Sequence, residues 1–163
     1  MIKHIKCDIF ESGADIICHQ VNCQGVMGSG IAKQVRERYP DVYTDYKQKC
    51  EKTHPGGLLG SVQFVGTKKY DTSFLGIFNL FGQKRFGYDG KCYTSYGALE
   101  ECFRKIRDIL SITPRMKERF TIAIPYLMGC YRGGGDWNIV YKMIEEIFDD
   151  SDCDVLICEY NGG

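Results

Sequence analysis

Residues 18–40, C-H-Q-V-N-C-Q-G-V-M-G-S-G-I-A-K-Q-V-R-E-R-Y-P, set how the rest of the chain is read. They open as the end of an apolar run, Asp15-Ile16-Ile17-Cys18, which reads as a buried strand. The polar cluster His19, Gln20 and Asn22 comes next, followed by Gly25, Gly28 and Gly30. An amphipathic helix continues from there, with Ile31, Ala32, Val35 and Tyr39 on its apolar side and Pro40 stopping it. Strand, glycine loop and helix together bring a backbone close to a phosphate. Glycine permits φ > 0 and leaves no Cβ in the way, and the free N–H groups of the helix point at the anion. The spacing G-x-x-G-x-G is not the G-x-G-x-x-G of dinucleotide folds, and no G-K-[ST] closes it as in a P-loop. The loop alone leaves two readings open, a phosphate site and a tight turn that needs glycine.

A second loop of the same kind lies downstream. Residues 121–126, T-I-A-I-P-Y, read as a short buried strand that opens into Met128-Gly129-Cys130-Tyr131-Arg132-Gly133-Gly134-Gly135. Asp136 then sits where an N-cap belongs, and Trp137, Val140, Tyr141, Ile144, Ile147 and Phe148 form the apolar face of a helix. Around these two units the pattern predicts strands over residues 2–10, 15–21, 61–65, 73–80 and 153–160. It predicts helices over 42–51 and 93–112, the latter with Tyr96, Leu99, Phe103, Ile106 and Leu110 at helical spacing. Residues 81–91, with three glycines and several aromatic or basic residues, read as a loop with something to bind or cover. Alternating strands and helices imply a layered α/β domain with a largely parallel, buried sheet. In such folds ligands bind outside the carboxyl ends of the strands. Two glycine loops at that edge can hold the two halves of a diphosphate, and this puts the ligand reading ahead.

At 163 residues the chain fits one domain, residues 1–163, large enough to bury a core without staples. Lys plus Arg equals Asp plus Glu, 21 each, so global charge makes no case for nucleic acid or an anionic membrane. No apolar run approaches the roughly 18 residues of a membrane span, and Met-Ile-Lys-His-Ile-Lys has no signal-peptide core. The expectation is a soluble, cytoplasmic protein with no membrane partner. The nine cysteines are odd in number and form no C-x-x-C, and Cys18, Cys153 and Cys158 sit in apolar runs, as reduced cysteines do in a core. The three histidines, at 4, 19 and 54, are scattered, so no metal is expected. No cofactor is expected either.

With both loops in view, the chain resembles the macrodomain family of ADP-ribose-binding modules. The signature is N-C-Q-G-V-M-G-S-G-I-A followed by I-P-Y-L-M-G-C-Y-R-G-G-G-D-W. The N-C-Q-G opening, the R-Y-P-x-x-x-x-D-Y continuation over 38–46 and the Asp closing the second loop are most similar to one branch. That branch holds the ADP-ribose-1″-phosphate phosphatases and the terminal ADP-ribose protein glycohydrolases. The resemblance implies a three-layer α/β/α fold around a central mixed, largely parallel sheet. It also implies a ligand-binding set. Asp8, with Ile9 beside it, would accept from the adenine amino group, and Asn22 would orient the distal ribose, with Gln20 in the same set. The backbones of Val26, Met27, Gly28, Ser29 and Gly30 and of Met128, Gly129, Cys130, Tyr131 and Arg132 would wrap the diphosphate. Tyr160 and Asn161 would lie against the adenine, although a Tyr there is equally ordinary edge packing.

Asp136 and His19 match the family's chemical positions. Asp136 would act as base on water or stabilise positive charge at the anomeric carbon, and it also serves as a plain N-cap. His19 would be an acid, a base or a phosphate ligand, or otherwise a hydrogen-bonded core histidine. At one place the sequence departs from the glycohydrolases. Where they carry a lysine that attacks the ribose, this chain has Gln83, and an amide forms no Schiff base. The implied function is binding of ADP-ribose and hydrolysis of a distal-ribose substituent, an O-acetyl ester or a 1″-phosphate. The alternatives are a non-catalytic reader of ADP-ribosylated macromolecules and a glycohydrolase acting on ADP-ribosylated protein or nucleic acid.

Overall fold

The computed structural model describes residues 1–114, 119–131 and 133–160. Six strands, β1 (Ile2–Lys6), β2 (Ile16–Asn22), β3 (Val62–Gly66), β4 (Gly76–Gln83), β5 (Phe120–Pro125) and β6 (Cys153–Glu159), form one sheet. Their order is β1-β6-β5-β2-β4-β3. Every neighbouring pair is parallel except β3 with β4, so the sheet is mixed and largely parallel as expected. The helices are α1 (Gly30–Arg38), α2 (Pro40–Lys52), the single turn α3 (Pro55–Leu58), α4 (Tyr96–Ile112) and α5 (Trp137–Phe148).

Strand residues point alternately to the two faces, and this divides the core in two. Ile16, Cys18, Phe78 and Leu80 face Leu99, Phe103 and Ile106 of α4 and Ile144 and Phe148 of α5. Ile17, Val21, Ile77 and Phe81 face Val35 of α1 and Val42 and Tyr46 of α2. The result is a three-layer α/β/α arrangement. Each fully buried Leu, Ile or Phe in these layers contributes about 1.5–3 kcal/mol of transfer free energy. All nine cysteines are free thiols, and Cys18, Cys23, Cys102, Cys153 and Cys158 are buried as small core residues. Among the described residues no helix is long and apolar enough to cross a membrane.

Several boundaries differ from the sequence pattern. The strand expected over 2–10 ends at Lys6, and the chain turns into a 3-10 helix over Ile9–Glu11 whose Phe10 N–H donates to Asp8 Oδ1 at 2.9 Å. The strand expected over 73–80 is β4, three residues further on. Phe74 is buried in the core before the strand begins, and a Cβ at Gly76 would run into Phe64 and the Val65 carbonyl, so β4 starts where glycine admits that approach. Phe81 is likewise buried, so residues 81–83 belong to β4 and not to the loop. Pro40 does more than stop α1. It occupies the first turn of α2, where its missing N–H costs nothing. The helix expected from residue 93 starts at Tyr96, because Ser95 caps it by accepting from Ala98 N–H.

Candidate functional site

The chain leaves β2 toward β3 and β4 on one side, and leaves β5 through α5 toward β6 on the other. β2 and β5 are neighbours, so the strand order reverses between them, and the carboxyl ends of such a pair open a crevice. A cleft of about 720 Å³ lies there, within the usual range for small-molecule sites. Both glycine loops border it, together with the segment between β4 and α4.

The first loop is folded by Asn22. A register shift at Val21/Asn22 skips Gly82 and pairs this residue with Gln83 at the end of the ladder. Its Oδ1 accepts from Gln24 N–H at 2.9 Å and from the Tyr46 hydroxyl at 2.8 Å, and its Nδ2 donates to the Val26 carbonyl at 2.8 Å. Tyr46 is fully buried, and burial pushes its phenol well above the ordinary range, so it remains a donor. Asn22 therefore builds the loop as well as lining the cleft. Gly25 and Gly30 both have positive φ, +76° and +59°. Ser29 is the N-cap of α1 and makes no side-chain cap bond, so the first N–H groups of α1 are left for an anion.

The second loop is tied down from the facing segment. Thr94 Oγ1 donates to the Gly129 carbonyl at 2.6 Å, and Gly135 N–H donates to the same carbonyl at 2.9 Å. Tyr93 and Thr94 both donate backbone N–H groups to the Gly133 carbonyl. A Cβ at Gly133 would fall onto Thr94 Oγ1, so only glycine fits there. The segment from β4 to α4 is joined to the first loop by Cys23 N–H on the Lys84 carbonyl and Phe86 N–H on Gln24 Oε1, both 3.1 Å.

The floor of the cleft is polar and its orientations are set. Gln83 Nε2 donates to the Arg85 carbonyl at 2.8 Å, so Gln83 Oε1 accepts from Gln20 Nε2 at 2.6 Å. Gln20 Nε2 also donates to Thr94 Oγ1 at 3.0 Å, and Gln20 Oε1 is buried with no hydrogen-bond partner among the described residues. His19, 2% exposed, lies 2.6 Å through Nε2 from Asn79 Oδ1, and its Nδ1 has no partner among the described residues. Desolvation lowers the His19 pKa to about 4 against a smaller opposing effect of the Asn79 bond, so the ring is neutral at pH 7. A neutral imidazole in that setting serves as an acceptor, not as a cationic phosphate ligand.

Of the residues expected at the site, His19, Gln20, Asn22, Val26, Gly28, Ser29 and Gly30 line the cleft, as do Gln83, Met128, Gly129, Tyr131 and Tyr160. Tyr131 and Tyr160 are 81% and 70% exposed and form its outer rim. Met27 and Ile9 are core residues, so Met27 can offer only backbone. Cys130 packs against the α4/α5 core. Asp8 lies outside the lining. Its carboxylate caps the turn at Ile9–Glu11 and sits 4.0 Å from Arg38. Asp136 is also outside it, exposed, with Oδ1 accepting from Asn138 N–H at 2.9 Å as the N-cap of α5. Arg132 and Asn161 lie outside the described residues. Sequence reasoning missed Thr94, which no local signal marks. It singled out residues 81–91 without naming Phe86 and Tyr88, which reach the cleft. Among the described residues no group of three His, Cys, Asp or Glu side chains could hold a metal.

Two glycine loops astride the reversal point of a mixed six-stranded sheet are the arrangement of an α/β ligand-binding domain. Residues 18–144 match the Macro domain family, and the chain belongs to it. It is 30% identical over 164 residues to a DNA ADP-ribosyl glycohydrolase of Mycobacterium tuberculosis, a match covering 100% of this chain and 43% of that protein. It is 32% identical over 84 residues to an ADP-ribose 1″-phosphate phosphatase of Meyerozyma guilliermondii, covering 48% of each. The chain thus spans about half the length of the curated relatives it matches, or less. Among solved structures, the macrodomain of Mycobacterium tuberculosis DarG superimposes with a TM-score of 0.77 at 26% identity over 97% of both chains.

Proposed function

We propose that the cleft binds ADP-ribose and that the chain hydrolyses a substituent on the distal ribose, such as an O-acetyl ester or a 1″-phosphate. The observation that carries this reading is the pairing of two glycine loops at the reversal point with the uncapped N-terminus of α1. These supply backbone N–H donors for a diphosphate without a basic patch. The polar floor of His19, Gln20 and Gln83 lies in the same cleft and suits a sugar. Gln83 stands where covalent catalysis would need an amine, so water attacks directly: its oxygen bonds to the acyl carbon or the phosphorus, the bond from that centre to the ribose oxygen breaks, and the ribose oxygen takes a proton and leaves as a hydroxyl. Asp136, three residues past Gly133, would act as base on that water. Asp8 would hold the adenine amino group. The nine free thiols fit the reducing cytoplasm as the setting.

A second reading, removal of ADP-ribose from DNA, is favoured by one observation: the likeness to the DNA ADP-ribosyl glycohydrolase runs along the whole chain, whereas the phosphatase likeness covers half of it. Turnover of O-acetyl-ADP-ribose, ADP-ribose-1″-phosphate and an ADP-ribosylated oligonucleotide, measured side by side with ADP-ribose calorimetry, decides between them. Binding without turnover of any of the three leaves a reader, and no binding at millimolar ADP-ribose overturns both readings.

A further inference from the structure

His19, Asn79 and Gln63 stand in register on three adjacent strands, His19 opposite Asn79 across β2–β4 and Asn79 opposite Gln63 across β4–β3. Residues paired this way project from one face of the sheet, here the α1/α2 face. Their hydrogen bonds form a ladder whose direction is fixed from its outer end. Gln63 Nε2 donates to the Asp45 backbone carbonyl in α2 at 3.1 Å, and a carbonyl only accepts. Gln63 therefore turns Oε1 toward Asn79, whose Nδ2 donates to it at 3.1 Å. Asn79 is then left with Oδ1 facing His19, so His19 Nε2 must carry the proton of the 2.6 Å bond. Nδ1 keeps its lone pair, and that buried acceptor has no partner among the described residues. An unmade hydrogen bond at a buried atom is a standing cost that a matching donor removes.

We infer that Asn79 and Gln63 are positioning residues: they hold His19 as the Nε2–H tautomer so that Nδ1 accepts an O–H from the ligand in the cleft. The role rests on the ADP-ribose reading. A ligand hydroxyl fits this atom, and a phosphate oxygen, itself an acceptor, does not. Asn79, 0% exposed, forms the rung nearest the histidine, while Gln63 is half-buried at the sheet's outer strand and can be replaced without opening the core.

The test uses nitrogen NMR of the imidazole together with calorimetry. In the wild type, Nε2 is expected in the protonated range and Nδ1 in the lone-pair range. Saturating ADP-ribose should move Nδ1 and leave Nε2 in place. Gln63→Ala frees the Asn79 amide to flip, so an Nδ1–H population should appear, with ADP-ribose affinity lower by about tenfold, ~1.4 kcal/mol. Gln63→Glu keeps an acceptor oxygen toward Asn79 and should restore both signals, which a merely structural role would not predict. An Nδ1–H tautomer in the wild type overturns the inference. So does a Gln63→Ala protein with unchanged tautomer and affinity, or calorimetric binding of ADP-ribose that leaves Nδ1 unmoved. Absence of any calorimetric signal overturns the ADP-ribose reading and the ligand role with it, while the tautomer measurement still decides whether the ladder orients the ring.

Discussion

Acid should destabilise this protein through His19. Burial lowers the folded-state pKa of His19 to about 4, against 6.5 for the free side chain. Between these values the unfolded chain binds a proton that the folded chain refuses, so stability falls as pH falls. The contribution is fully present above pH 6.5 and lost progressively toward pH 4. At about 1.4 kcal/mol per pH unit, the loss is roughly 2 kcal/mol at pH 5 and about 3 kcal/mol when complete. For a chain of this length 2 kcal/mol is about 4–8 °C in Tm. The assay is urea unfolding followed by Trp137 fluorescence at pH 7.0, 6.0, 5.0 and 4.5, for the wild type and for His19→Gln, whose amide can still donate to Asn79. The wild type should lose about 2 kcal/mol more than the variant between pH 7 and 5. Parallel curves for the two proteins would refute the reasoning, because the variant has no imidazole to charge.

Other expected outcomes follow from the same geometry. Asp8→Ala should weaken ADP-ribose binding by about 1–3 kcal/mol in calorimetry, with a smaller loss of stability from the uncapped turn at Ile9–Glu11; unchanged affinity would remove Asp8 from the adenine site. Asp136→Ala should cost about 1 kcal/mol of stability, and Asp136→Asn, which keeps the cap, almost none. If the charge of Asp136 acts in the reaction, turnover should fall at least about tenfold in the Asn variant with ADP-ribose affinity within about tenfold. Full activity would reduce Asp136 to a helix cap. Lys84 is exposed and does not line the cleft, so borohydride should trap no ribose adduct on it, and Lys84→Ala should stay within about threefold of wild-type turnover. A trapped adduct detected by mass spectrometry would reinstate a covalent route.

What was legible in the sequence is what is encoded locally. The strand–glycine loop–helix order, the Asp136 cap and the apolar face of α4 depend on residues within a few positions of one another, and the structure has each of these local features. The burial of Phe81, which carries β4 through to Gln83, is decided by packing against Tyr46 from another element. The turn after Lys6 is likewise tertiary, since Cys7 N–H bonds the Glu159 carbonyl and Asp8 then folds back on Phe10. Thr94 and the Asn79–Gln63 pair carry no local mark at all. Their partners are set by strand register and by the approach of separate loops, which one sequence does not specify.

Within the sheet, β1 has a single strand neighbour, β6, and the pair is held at its start by the Met1 ammonium on Asp154, 153 residues away. Of this pair β1 is synthesised first and stays without a strand neighbour until β6 emerges. At synthesis rates of about 5–20 residues per second, that wait is roughly 8–30 s. Until then the β5 edge is uncovered as well, since β6 is its outer neighbour in the sheet. Tyr160 follows β6 directly, so its rim of the cleft forms after the floor that holds His19. A chain arrested before β6 would keep the polar floor of the cleft and lack the wall made by Cys158, Glu159 and Tyr160.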